Sequence, residues 1–171
     1  MGNVATPQAL AFRWTEVMRD PGLRDLPYKI ELNAWGKIEM SPANTRHARL
    51  EACIVLELAR QLAAGKVFTE VPILTDIGVR VPDVAWASED FFRIHGEATP
   101  YPRAPEICVE IVSASNTDAE MQEKTRAYLA AGAQEVWLVA ESGAVRVFDA
   151  TGERSASRYP VILQLPPPAR E

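Results

Sequence analysis

The run Glu106–Val112 constrains this chain most: it is short and apolar, with Glu110 set between Val109 and Ile111. Such a run reads as a central strand buried on both faces. Thr117-Asp118-Ala119-Glu120 follows as a capping box, which opens a helix running to Ala131 and stopping at Gly132. Glu135–Ala140 and Ala144–Phe148, placed around Ser142-Gly143, continue the sheet.

Upstream, Tyr28–Leu32 and Lys37–Met40 flank Asn33-Ala34-Trp35-Gly36 and predict a hairpin closed by Ser41-Pro42. Asn44 or Thr45 can cap a helix to about Ala64, with Gly65 as its stop and Leu50, Ile54, Leu58 and Leu62 as its buried row. Two β-rich runs, Val67–Leu74 and Val79–Trp86, surround the turn Thr75-Asp76-Ile77-Gly78. Pro72 and Pro82 each remove a ladder donor, so an edge, a start or a bulge is expected at both. Residues 88–105, with three prolines and the pair Phe91-Phe92, read as a long surface insertion whose exposed rings would suit a contact between copies of the chain.

The expected organisation is a loosely attached lead-in over 1–27 with a short helix at Ala11–Arg19, one domain over 28–163, and a Pro-rich tail over 164–171. The fold class is α/β (α+β), a central mixed β-sheet flanked by helices. With 171 residues, 47% of them hydrophobic and 24% charged, the chain can bury the core of one domain, which excludes disordered and disulfide-scaffold classes. Ala52–Leu58 is the longest apolar stretch, far short of a bilayer span, and no secretory signal is visible, so a cytoplasmic protein is expected. Met1–Thr6 fits a short myristoylation pattern of little weight. Cys53 and Cys108 lie in apolar runs and read as small buried side chains without a disulfide. The formal net charge of -5 opposes non-specific attraction to polyphosphate, so a nucleic-acid role must rest on a local patch or a metal.

Three charged residues fall where core-facing ones belong. Alternation places Asp83 on one face with Val79 and Val81, Glu110 interrupts the most apolar strand, and Lys124 shares a helical stripe with Met121 and Tyr128. Singly, each suits a buried ion pair or a loop cap. Together, two carboxylates and a lysine at strand ends match a hard cation, Mg²⁺ with Mn²⁺ able to replace it, acting on a phosphate substrate.

Val81-Pro82-Asp83-Val84, then Val109-Glu110-Ile111-Val112-Ser113-Ala114-Ser115-Asn116, then Lys124, Tyr128, Gly132, Glu135 and Trp137, resemble the Uma2 family of restriction-endonuclease-like proteins. Glu31, Gly36, Met40-Ser41-Pro42 and His47 extend the resemblance over residues 28–149. It implies the fold of the PD-(D/E)xK nucleases and Mg²⁺-dependent cleavage of nucleic acid, with DNA as the expected partner. Asp83 and Glu110 would hold the metal, helped by the backbone carbonyl of Ile111. The lysine of that motif normally stands two residues after the glutamate, where this chain has Val112, so the resemblance implies that Lys124 takes the role from the next helix. Glu31 and His47 are accessory candidates, although alternation also allows an exposed Glu31 and a histidine opening a helix suits a cap. Ala140 departs from the acidic residue expected there, Glu51 reads as surface, and Ser113 and Asn116 as turn formers. The rival is a non-catalytic dimerisation or partner-binding module of the same fold, which the acidic charge favours.

Overall fold

The computed structural model describes residues 4–42 and 44–168, so the Met1-Gly2-Asn3 start of the acylation pattern and the end of the tail lie outside the described residues. The elements are α1 (Pro7–Arg19), β1 (Tyr28–Asn33), β2 (Ile38–Pro42), α2 (Thr45–Gln61), β3 (Gly65–Thr69), β4 (Ile73–Thr75) and β5 (Gly78–Arg80). They continue as β6 (Val84–Ser88), α3 (Glu89–His95), β7 (Ile107–Val112), α4 (Asp118–Ala130), β8 (Glu135–Ala140), β9 (Val145–Asp149) and β10 (Gly152–Arg154). The mixed sheet has six strands in the order β10-β9-β8-β7-β6-β3, with β7 and β8 parallel and α4 as their crossover. A second, antiparallel sheet of four strands, β2-β1-β5-β4, stands beside it.

Both prolines explain the second sheet. Each long β-rich run breaks at its proline, and the halves pair in different sheets: β3 with β6 in the larger, β4 with β5 in the smaller. The chain thus crosses between sheets at 70–72 and returns at 81–83, which puts Asp83 at the crossing rather than inside a strand. Strict alternation therefore misplaces it. Val79 and Val81 pack under α1, whereas Asp83 turns toward β1, α2 and β7.

Period two along β7 divides the core. Ile107, Val109 and Ile111 join Leu50, Ile54 and Leu58 of α2, while Cys108 faces Met121 and Tyr128 of α4. Glu110 takes the α4 side with Cys108. Asn44 caps α2, which ends at Gln61 rather than Ala64, and Gly65 opens β3 instead of closing the helix. A Cβ at Gly65 would stand 2.3 Å from the carbonyl oxygen of Ala87, so close strand pairing demands the glycine there. Thr117 caps α4 through the Glu120 amide, as the capping box predicts.

Three expectations are corrected. The lead-in is firmly attached: α1 starts at Pro7, and Leu10, Trp14 and Val17 are buried against Leu32, Val79 and Val81. Residues 88–105 hold α3, capped by Ser88, instead of a structureless insertion. Phe91 is only 6% exposed and packs edge-on to Tyr101, and Phe92 lies 5.0 Å from the Phe68 ring, so the pair builds core rather than a contact surface. Cys53 is half-buried and Cys108 buried. The tail runs extended, with Val161, Leu163 and Leu165 packed against the α2 side of the core and Arg46 donating to the carbonyls of Pro166 and Pro167. Among the described residues, no helix is long and apolar enough to cross a membrane.

Candidate active site

Where the two sheets meet, a cavity of about 400 Å³ is lined by Lys29, His47, Asp83, Glu110, Ile111 and Lys124, with Glu51, Glu70 and Glu120 also on its wall. Asp83 is 2% exposed, Glu110 3% and Lys124 7%, so three charges distant in sequence are buried together. Burial of that kind requires partners.

Each carboxylate has them. The Asp83 Oδ1 atom accepts from Lys29 Nζ at 2.6 Å and lies 3.1 Å from His47 Nε2, while Oδ2 accepts from the Ile111 amide at 2.7 Å. Tyr128 donates its hydroxyl to Glu110 Oε1 at 2.7 Å, and Lys124 Nζ stands 3.5 Å from the same oxygen. The other oxygen, Oε2, has Lys29 Nζ at 3.7 Å. Glu31 accepts from the Val81 amide at 2.8 Å, and it holds Lys124 at 3.0 Å and Arg80 at 3.4 Å.

The electrostatics follow from this wiring. Burial pushes the Asp83 pKa up, but the His47 hydrogen bond and the charges of Lys29 and His47 outweigh it and bring it down to about 2. Glu31 is lowered against burial by Lys124, Lys29, the Val81 amide and Arg80. Glu110 is raised, because burial, Asp83 and Glu31 outweigh the two lysines. The Asp83 hydrogen bond raises His47 against the effect of burial.

All five candidate side chains, Glu31, His47, Asp83, Glu110 and Lys124, thus belong to one ion-paired cluster. Lys124 bridges Glu31 and Glu110 rather than reaching Asp83. At Ile111 the amide is engaged on Asp83. Sequence reasoning passed over Lys29, although period two in β1 puts it on the same side as Glu31. It also passed over Arg80 as an ion-pair partner and Tyr128 as a donor to Glu110. Glu51, read as surface, lines the cavity, and its pKa is raised by burial, Asp83 and Glu70.

The donor chemistry suits a hard divalent cation. Asp83 Oδ1 and Glu110 Oε2 face one ammonium across one gap, and magnesium is often held by only one or two carboxylates, with water and substrate phosphate completing its shell. Among the described residues, no group of three or more His, Cys, Asp or Glu stands so as to hold a metal ion, so any ion here would rest on the two carboxylates, a carbonyl and water.

A separate, more apolar hollow of about 680 Å³ lies between α4 and β8–β10, walled by Met121, Leu129, Leu138 and Phe148. Its charged lining is Asp118, Arg126, Arg146 and Asp149, and among the described residues no lysine faces it.

The family model of Uma2, described as "Putative restriction endonuclease", matches residues 20–169. Among solved structures, the chain is similar to the crystal structure of a protein described as a putative nuclease belonging to DUF820, from Anabaena variabilis ATCC 29413. That likeness has a TM-score of 0.64 at 18% identity over 88% of this chain and 84% of the other. No curated protein matches the chain. The solved neighbour establishes the shared fold, and the family match over most of the length establishes that the chain belongs to the Uma2 family, whose description is "Putative restriction endonuclease".

Proposed function

We propose that this protein is a metal-dependent nuclease that hydrolyses phosphodiester bonds in nucleic acid, with DNA as the substrate and Mg²⁺, or Mn²⁺ in its place, as the cofactor. One observation carries the proposal: Asp83 and Glu110, both buried, direct oxygens at the same cation on the wall of a polar cavity, with a second lysine, Lys124, beside Glu110. Family membership supports the same reading.

Asp83 and Glu110 would hold the divalent ion, and the Ile111 carbonyl would be a third donor. When bound, such an ion would supply Lewis-acid stabilisation of phosphoryl charge and a lowered pKa for water. Lys124 orients the attacking water and offsets the charge that gathers on the phosphoryl oxygens. One P–O bond forms to the water oxygen and one breaks to the leaving sugar oxygen, which takes up a proton. Tyr128 fixes the Glu110 carboxylate, and Glu31 holds the Lys124 ammonium in position. His47 donates to Asp83 and so orients it.

The non-catalytic reading is favoured by one feature, namely that Glu31, Asp83 and Glu110 are already matched by Lys29, Arg80 and Lys124. Metal titration by calorimetry on the wild type and on Asp83→Asn tests the two. A nuclease requires millimolar or tighter binding that the variant loses; no binding by the wild type would defeat it.

A further inference from the structure

The two carboxylates that suit a divalent ion have their facing oxygens on Lys29, at 2.6 Å and 3.7 Å. A magnesium ion needs oxygens at about 2.0–2.1 Å, so it cannot share that gap with an ammonium. Lys29 therefore stands where the ion would sit. Its side chain is 13% exposed and enters from β1, on a flexible four-carbon stem whose head can swing without any backbone change.

The surroundings give that swing a destination. On the far side of Lys29 lies a second cavity of about 360 Å³, under α1, lined by Trp14, Val17, Tyr28 and Val81. Among the described residues, Lys29 and Glu70 line both cavities and so form the partition between them. Glu70 sits at the crossing between the sheets in the left-handed backbone region, with φ of 51°. A glutamate seldom adopts that conformation, and its amide donates to the Asp83 carbonyl oxygen at 3.3 Å. The backbone is held in place there, and Glu70 carries an exposed side chain on the wall that it shares with Lys29, outside the gap.

We propose that Lys29 is a displaceable resident cation: it neutralises Asp83 and Glu110 in the metal-free protein, yields the gap to a divalent ion, and moves to Glu70. The inference rests on the divalent-ion reading of the Asp83–Glu110 gap, and it does not require that the protein cleave anything. It also accounts for a buried, fully paired site in a family whose proposed chemistry needs an open one. Lys29 is a positioning residue for the ion and not a ligand.

The test is a calorimetric titration with Mn²⁺ on four proteins: wild type, Lys29→Met, Glu70→Gln and the double variant. Removing the competing ammonium should tighten binding by about tenfold or more, one such factor being about 1.4 kcal/mol. Glu70→Gln should weaken binding several-fold in the wild-type background and have no effect when Lys29 is already methionine. A second readout needs no variant. In ¹⁵N-resolved spectra of lysine ammonium groups, the Lys29 signal should be sheltered from exchange without metal and should shift and lose that shelter on saturation with Mg²⁺. Equal or weaker binding by Lys29→Met, or a Glu70→Gln effect of the same size in both backgrounds, would overturn the proposal while leaving the metal site standing. An unmoved Lys29 signal at saturation would do so too. Absence of binding in all four proteins would overturn both.

Discussion

Lys29 Nζ lies 2.6 Å from Asp83 Oδ1 although 54 positions separate them in sequence, and this ion pair joins β1 of the smaller sheet to the crossing that feeds the larger one. Glu31, two residues along the same strand, reaches Lys124 of α4 at 3.0 Å and so repeats the stitch. The seam between the sheets and the candidate active site are the same set of charges. Substitutions there will alter stability as well as chemistry.

Asp83→Ala should therefore cost about 3–5 kcal/mol, because His47 and the buried Ile111 amide would lose their acceptor and Lys29 would keep only the Glu110 oxygen at 3.7 Å. Urea denaturation at pH 7 measures it. The folded Asp83 pKa, about 2, lies below the ordinary 3.8, so its contribution is complete above about pH 4 and drains away as pH falls toward 2. Wild type should lose that increment over this window, and Asp83→Asn should not.

His47 behaves in the opposite sense. Its pKa is raised above 6.5, chiefly by the hydrogen bond to Asp83, so the stability it adds is complete below pH 6.5 and is lost as pH rises through the folded value. His47→Gln should cost about 1–2 kcal/mol at pH 5.5 and less at pH 8.5. Because the chain has only two histidines, proton NMR titration can follow His47 directly, and its pKa should fall in Asp83→Asn.

The helix before the domain proper is structural. Trp14 is 5% exposed and packs with Leu10 and Val17 on β1 and β5, so Trp14→Ala should cost about 3–5 kcal/mol. Thermal or urea unfolding checks this; a loss below about 1 kcal/mol would mean the helix is dispensable.

Much of this was legible in the sequence, for identifiable reasons. The capping box at Thr117, the i, i+4 row of Leu50, Ile54 and Leu58, and the doubly buried Ile107–Val112 strand are local signals that tertiary packing did not override. Glu110 and Lys124 could be singled out because a charge inside an apolar run or stripe demands a partner wherever the chain folds. Asp83 was found on a faulty premise, since Pro82 ends the alternation that seemed to place it. The split of each β-rich run between two sheets depends on partners far along the chain, and proline marks the break without saying where the next strand goes. Lys29 was missed for a related reason: on an amphipathic hairpin a lysine reads as solvated, and only the return of the chain at 81–83 brings Asp83 to it. Phe91 and Phe92 read as exposed in sequence because α3 is a short helix, capped at Ser88, whose rings find Tyr101 and Phe68 only in the folded chain.

Whether the protein is a nuclease is decided by cleavage of single- and double-stranded DNA and RNA with Mn²⁺ by wild type, Asp83→Asn and Lys124→Ala, run beside metal titrations of the same three proteins. Wild type should cut DNA, and Asp83→Asn should neither bind metal nor cut. Lys124→Ala should bind metal as tightly or more tightly, while cutting about a hundredfold or more slowly. A wild type that binds Mn²⁺ yet cuts none of these substrates would contradict the nuclease assignment, and a Lys124→Ala variant as fast as wild type would contradict the role given to that lysine.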